Sequence, residues 1–239
     1  GCGTGLLAFG AAERTGPGGS VTACDPDGAC LDYCRAVTKR DPGRFACVTL
    51  LRATAESLPC APESFDAVLM RSVLTHVLDK RAALGQVFRV LKPGGRFACY
   101  EPVTRLDPWL VDLIGGAGDD ALLRALDAAE RDLRADPADP LMNFDEASLA
   151  GDLRNAGFVD VKAERREHRR DIRFDAAALH ELWQVPMVTG RASLYDLLSR
   201  RMPRAELDAA VDRVAARLRD RTAPFAQVVV FLSARKPSP

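Results

Sequence analysis

Apolar residues along the first part of the chain recur with two periods, and the period switches at regular intervals. From Gly5 to about Arg14, Leu6, Phe9 and Ala12 keep helical spacing, and Gly16-Pro17-Gly18-Gly19 stops the run as a turn. Val21 to Cys24 reads as a short buried strand ending at Asp25. A helix from Asp27 to about Lys39 follows, with Leu31, Cys34 and Ala36 among its apolar positions, and then a strand from Cys47 to Leu51. Phe65 to Met70 is apolar except at Asp66, the pattern of a strand covered on both faces of a parallel sheet. The next helix is marked by Leu84, Val87, Phe88 and Leu91, is closed by Lys92-Pro93-Gly94-Gly95, and leads to a strand from Arg96 to Tyr100. Strands alternating with helices in this way predict βαβ units and a mostly parallel sheet.

After Pro102 the rhythm changes. Residues from about Leu106 to Leu141 read as helical, with Leu122, Leu123, Leu126 and Leu133 on one side, and end in the Pro-rich linker Ala135 to Pro140. The α/β cadence then resumes. Asn143 and Glu146 are spaced as a capping box, Leu149 and Leu153 supply a buried face, Gly157 ends the helix, and Val159, Val161 and Ala163 alternate as a strand. A second helical insertion runs from about Phe174 to Arg221, with Leu207, Val211, Val214 and Leu218 in helical register behind Pro203. Gln227 to Ala234 closes the chain as a valine-rich strand. These elements predict one α/β domain over residues 1–239, interrupted by helical lid insertions at about 104–142 and 174–224.

Composition narrows the possibilities without adding chemistry. The chain has 239 residues, 47% of them apolar and 28% charged, which is ordinary for a globular protein. Lysine plus arginine equals aspartate plus glutamate at 33 each, so there is no basic footprint of a nucleic-acid binder. No apolar run approaches the ~20 residues that span a bilayer. The seven cysteines are odd in number and lack paired zinc spacing, so no metal site is expected and a reducing cytoplasm is the natural compartment. Cys30 and Cys34 share a helix face and read as small buried hydrophobes.

The chemistry begins at Gly1-Cys2-Gly3-Thr4-Gly5, a glycine turn just before a helix. Without Cβ atoms, Gly1, Gly3 and Gly5 let backbone amides approach a ligand. Asp25, at the carboxyl end of a strand, either accepts hydrogen bonds from two ribose hydroxyls or caps the helix that begins near Asp27. A glycine turn alone is a weak signal, because dinucleotide dehydrogenases use one too.

The full set is specific: Gly1-Cys2-Gly3-Thr4-Gly5, Asp25-Pro26, Ala55-Glu56-Ser57-Leu58-Pro59, Ser64-Phe65-Asp66-Ala67-Val68 and Leu91-Lys92-Pro93-Gly94-Gly95-Arg96. In that order it resembles the class I S-adenosylmethionine-dependent methyltransferases, in particular the small-molecule branch that includes the ubiquinone and menaquinone biosynthesis enzymes. The resemblance covers about residues 1–103, and residues 143–163 more loosely. It implies a Rossmann-like, doubly wound sheet with an antiparallel C-terminal strand, and S-adenosyl-L-methionine as cofactor. It also implies a strand before Gly1, between the strands ending at Asp25 and Met70, so the chain is expected to be N-terminally incomplete.

By the same resemblance Gly1, Cys2, Gly3 and Gly5 cradle the methionyl part of the cofactor, Asp25-Pro26 meets the ribose, and Ala55-Glu56 lies against adenine. Thr54 departs from the aspartate common at its position. Arg71 matches a position whose backbone carbonyl contacts the cofactor's amino group. His76 falls where the family often carries histidine, either a general base or a packed side chain. Glu101 follows a strand at the ligand edge, and either orients or deprotonates the acceptor or serves as a cap or ion-pair partner.

Trp109, Leu110, Leu113, Trp183 and Met187 are candidates for an apolar acceptor wall or for the core of the lid. The exit of Met70-Arg71-Ser72-Val73 lacks the Asn/Asp-Pro-Pro-aromatic run of nucleic-acid amino-methylating relatives. Arg165 to Arg170, with its interleaved acids, reads as the exposed end of a strand. Neither DNA nor RNA is therefore expected as substrate. The implied activity is transfer of a methyl group to an O, N or C nucleophile of a small, partly apolar molecule. The alternative is a protein of the same fold that binds the cofactor without transferring its methyl.

Overall fold

The computed structural model describes residues 1–16, 18–186 and 192–238. Pro17 of the first predicted turn and Met187 of the predicted apolar wall lie outside the described residues. The chain forms two compact units, one of residues 1–102, 144–166 and 229–239 and one of residues 103–143 and 167–228.

The first unit carries the alternating pattern. Its elements to Pro102 are α1 (Leu6–Thr15), β1 (Val21–Asp25), α2 (Gly28–Arg40), α3 (Pro42–Phe45), β2 (Val48–Arg52), β3 (Phe65–Arg71), α4 (Lys80–Val90) and β4 (Leu91–Pro102). Beyond Pro102 the chain adds α5 (Leu110–Leu113), α6 (Ala121–Arg134), α7 (Glu146–Asn155), β5 (Val159–Arg173), α8 (Ala176–Gln184), α9 (Leu194–Leu198), α10 (Arg204–Leu218) and β6 (Thr222–Arg235).

The strands form two sheets. β1 pairs with β2 in parallel, and a four-stranded sheet runs β3-β4-β6-β5, with β3 parallel and β6 antiparallel to β4. The antiparallel closing strand is as the family resemblance implied, and the arrangement is Rossmann-like. β1 and β3 are not paired with each other. On one face of the four-stranded sheet Phe97 is buried, and Phe158 packs edge-on to Phe88 at 5.1 Å between centroids. Leu84 and Val87 of α4 and Leu149 and Leu153 of α7 are buried as their spacing predicted. Each such side chain contributes about 1.5–3 kcal/mol.

Three expectations need correction. β3 was expected to be covered on both faces, yet Ala67, Leu69 and Arg71 are exposed and Leu69 keeps 50% of its surface. The strand ends the order β3-β4-β6-β5, and Met70 on its other face is buried. The capping box is formed by Asp145 and Ser148 rather than Asn143 and Glu146: Asp145 accepts from the Ser148 amide at 2.8 Å, and the Ser148 hydroxyl accepts from the Asp145 amide at 2.9 Å. The first helical insertion is divided into α5 and α6 at Gly115-Gly116-Ala117-Gly118, and Asp120 caps α6 by accepting from Leu122 and Leu123.

The two insertions fold together as the second unit. Its core contains Trp109, Leu110, Leu113, Leu123, Leu126, Leu133, Trp183, Leu207 and Val214. Two buried carboxylates tie its loops. Glu130 accepts from the amides of Leu110 and Val111 at the start of α5, and Asp107 accepts from the Val228 amide at 2.7 Å. No helix among the described residues is long and apolar enough to cross a membrane.

Candidate cofactor site

The glycine turn lies beside the carboxyl end of β1. The Gly1 nitrogen and the Cys2 amide both donate to the Cys24 carbonyl, at 2.7 and 2.8 Å. Gly5 has φ +89°, and a Cβ there would fall 2.4 Å from the Phe9 ring, so both backbone and space demand glycine. At Gly1 the demand is spatial: a Cβ would meet the Val73 methyls at 2.8 and 3.0 Å.

Asp25 is buried and holds the turn. One carboxylate oxygen accepts from the Gly3 amide at 2.8 Å, the other from the Asp27 amide at 2.9 Å. The cap of α2 is Asp27, which accepts from the Ala29 amide, so the capping role that sequence left open for Asp25 belongs to its neighbour. A carboxylate offers about four lone-pair positions. Asp25 therefore still has acceptor capacity for two hydroxyls. Pro26 is exposed, and its carbonyl accepts from Arg52 at 3.1 Å.

Two thiols meet beneath the turn. Cys2 and Cys34 each approach the Gly3 carbonyl, at 3.6 and 3.4 Å, which couples α2 to the turn. Burial, with help from Cys34 and Asp25, pushes the Cys2 thiol up to about 12, so it stays protonated at neutral pH. Of the two cysteines expected as buried hydrophobes, Cys34 is fully buried, whereas Cys30 is only half-buried and its thiol lies beside Asp27. The contact of Cys34 with Gly3, across 31 positions, had no local signal.

The Thr54–Ser57 segment is a tight turn. The Ser57 amide donates to the Thr54 carbonyl at 3.3 Å, Ala55 is buried, and Thr54 is exposed. Glu56 is half-buried. At the exit of β3, the exposed Arg71 lays its guanidinium over Tyr100 at 5.5 Å. Ser72 follows with φ +54°, a conformation that costs a non-glycine residue energy and clusters at functional positions.

Glu101 is fully buried behind that exit. Its two oxygens accept from the amides of Val73 and Thr75, at 3.1 and 3.0 Å. Burial pushes its carboxyl up to about 7, against the opposing pull of the Thr75, Val73 and Leu74 amides and the Lys80 ammonium. This geometry is that of a loop anchor. Lys80 is itself buried, donates to the Val77 carbonyl at 2.9 Å and stands 4.6 Å from the Phe144 ring. His76 is exposed on the 3-10 turn Leu74–His76. Among the described residues no group of three His, Cys, Asp or Glu side chains is placed to hold a metal ion.

The methyltransferase domain family matches residues 1–99, the stretch that contains the turn, Asp25 and the exit of β3. Over 101 residues the chain is 40% identical to a Nitrobacter hamburgensis enzyme, a match covering 41% of this chain and 39% of that protein. Over 188 residues it is 31% identical to a Methylobacterium nodulans enzyme, covering 77% of this chain and 71% of the relative. The solved structure of Haemonchus contortus phosphoethanolamine N-methyltransferase 2 in complex with S-adenosyl-L-methionine has the same fold, with a TM-score of 0.54 and 18% identity over 100% of this chain and 47% of that one. The chain belongs to the class I S-adenosylmethionine-dependent methyltransferases. Both bacterial relatives carry the name ubiquinone/menaquinone biosynthesis C-methyltransferase UbiE, and this chain is similar to them.

Proposed function

We propose that the protein binds S-adenosyl-L-methionine on the Gly1–Gly5 turn and transfers its methyl group to an O, N or C nucleophile of a small, partly apolar molecule. The observation that carries this reading is Asp25. Its carboxylate fixes the Gly3 amide beside the carboxyl end of β1 and keeps acceptor capacity for a ribose. In that reading the backbone of Gly1, Cys2, Gly3 and Gly5 meets the methionyl part, Asp25-Pro26 the ribose, Ala55-Glu56 the adenine, and the Arg71 carbonyl the amino group. The sulfonium already makes the methyl electrophilic, so positioning and exclusion of water supply most of the rate.

Glu101 is committed to backbone amides, which favours chemistry that takes little base from that side chain; His76, exposed on the turn after β3, remains the candidate general base. The commitment of Glu101 also favours, as a second reading, a cofactor-binding protein without transfer. Quinols are the first acceptors to test, given the names of the relatives. The balanced charge supports neither DNA nor RNA as substrate, and the odd cysteine count without paired spacing suits a cytoplasmic setting.

Incubation with the cofactor and a set of quinols, phenols and amines should release S-adenosylhomocysteine with at least one acceptor. Binding of the cofactor with no release above the acceptor-free rate across the set would favour the second reading.

A further inference from the structure

The proposed site draws on the exits of two strands. The glycine turn is bonded to β1, whereas Arg71 and Ser72 leave β3. Val73 joins them. Its methyls fill the space a Cβ would take at Gly1, and its amide is held by Glu101 at 3.1 Å.

We propose that Glu101 is a positioning residue: its ionised carboxylate pins Val73 and Thr75, and pinned Val73 fixes the Gly1 end of the cofactor turn. The cofactor part of this inference rests on the function proposed above. An ionised carboxylate accepts strongly on both oxygens, whereas protonation takes the charge from these bonds and makes the hydroxyl oxygen a poor acceptor. Protonation therefore weakens the hold on the Val73 and Thr75 amides and loosens the loop that carries Val73. The charged and titratable neighbours of Glu101 are the Lys80 ammonium from α4, which favours the ionised form, and the Cys99 thiol on β4. Burial and Glu101 both hold that thiol protonated, so it does not compete for the titration. Thr75 adds a sign that the loop is held from its backbone: its own hydroxyl is buried and has no hydrogen-bond partner among the described residues.

The test combines calorimetric titration of S-adenosylhomocysteine with amide NMR between pH 5.5 and 8.5, on the wild-type protein and on E101Q and V73A. In the wild type, affinity is expected to fall about tenfold toward the acid end, the scale of one lost hydrogen bond to a charged group. Binding near neutral pH should release protons, and the Val73 and Thr75 amide shifts should titrate together.

E101Q should bind more weakly at pH 8, with a flatter pH profile and less proton release, a difference in which the ligand's own ionisations cancel. V73A should keep the Thr75 amide titration and lose affinity, and it carries the test if E101Q does not fold. Wild-type affinity in V73A, or a Thr75 amide that ignores pH in the wild type, would overturn the proposal. A wild-type protein that binds no cofactor at any pH while both amides titrate would instead remove the proposed function and leave the anchor supported.

Discussion

Asp25 and Gly5 show how much of the site a short sequence window contains. Both follow from local rules, a glycine turn before a helix and an acid at the next strand's end, and the structure finds Asp25 bonded to Gly3. Replacing Asp25 with alanine removes two hydrogen bonds of the turn together with the proposed ribose acceptor. We expect cofactor affinity to fall by more than ~1 kcal/mol in calorimetry, and unchanged affinity would take Asp25 out of the site. Gly5→Ala meets both a left-handed backbone and the Phe9 ring, and should lower unfolding free energy by roughly 1–3 kcal/mol in urea titration. What the window could not contain is Glu101. Its partners lie 26 and 28 positions away, and no residue pattern announces which amides a buried carboxylate will meet.

Among the elements, helices and strands were legible wherever one period ran uninterrupted. α2 and β1 begin and end within a residue or two of expectation because their apolar positions leave one solution. The helical insertions were less legible, since apolar spacing says nothing about where Gly115 to Gly118 breaks the run. α7 shows a finer failure. Both Asn143/Glu146 and Asp145/Ser148 satisfy the capping spacing, and the side chains select the second pair. Asp145→Ala should therefore cost about 1 kcal/mol of stability, and Asn143→Ala clearly less, as read from urea midpoints. Equal losses would contradict the observed cap. β3 was misjudged for a different reason: an apolar strand fits a covered position, but whether a neighbour covers it is a property of the whole sheet.

At the scale of the molecule, buried carboxylates set the response to pH. Burial pushes Glu101 and Glu130 up to about 7 and Asp107 up to about 6, each against the pull of the backbone amides it accepts from. A carboxylate with a raised folded value binds more protons in the native than in the unfolded chain between its two values. Its contribution is therefore present at low pH and lost as pH rises through the folded value. Acids with lowered values, the half-buried Asp120 and the exposed Asp196, act in the opposite sense, and solvent screens the exposed one. The first unit should lose on the order of 3 kcal/mol of stability between pH 4 and pH 8 through Glu101 alone, and E101Q should flatten that slope in urea titrations across pH.

This trend runs opposite to the expected pH trend of cofactor affinity. Ionised Glu101 is costly relative to the unfolded chain, yet it orders the loop within the native state.

The central claim is that the turn held by Asp25 is built for S-adenosyl-L-methionine. Calorimetric titration of the protein with S-adenosyl-L-methionine, S-adenosylhomocysteine and NAD tests it most directly. The expected result is saturable binding of the first two with little response to NAD. Tight binding of NAD with no response to either sulfur compound would contradict it.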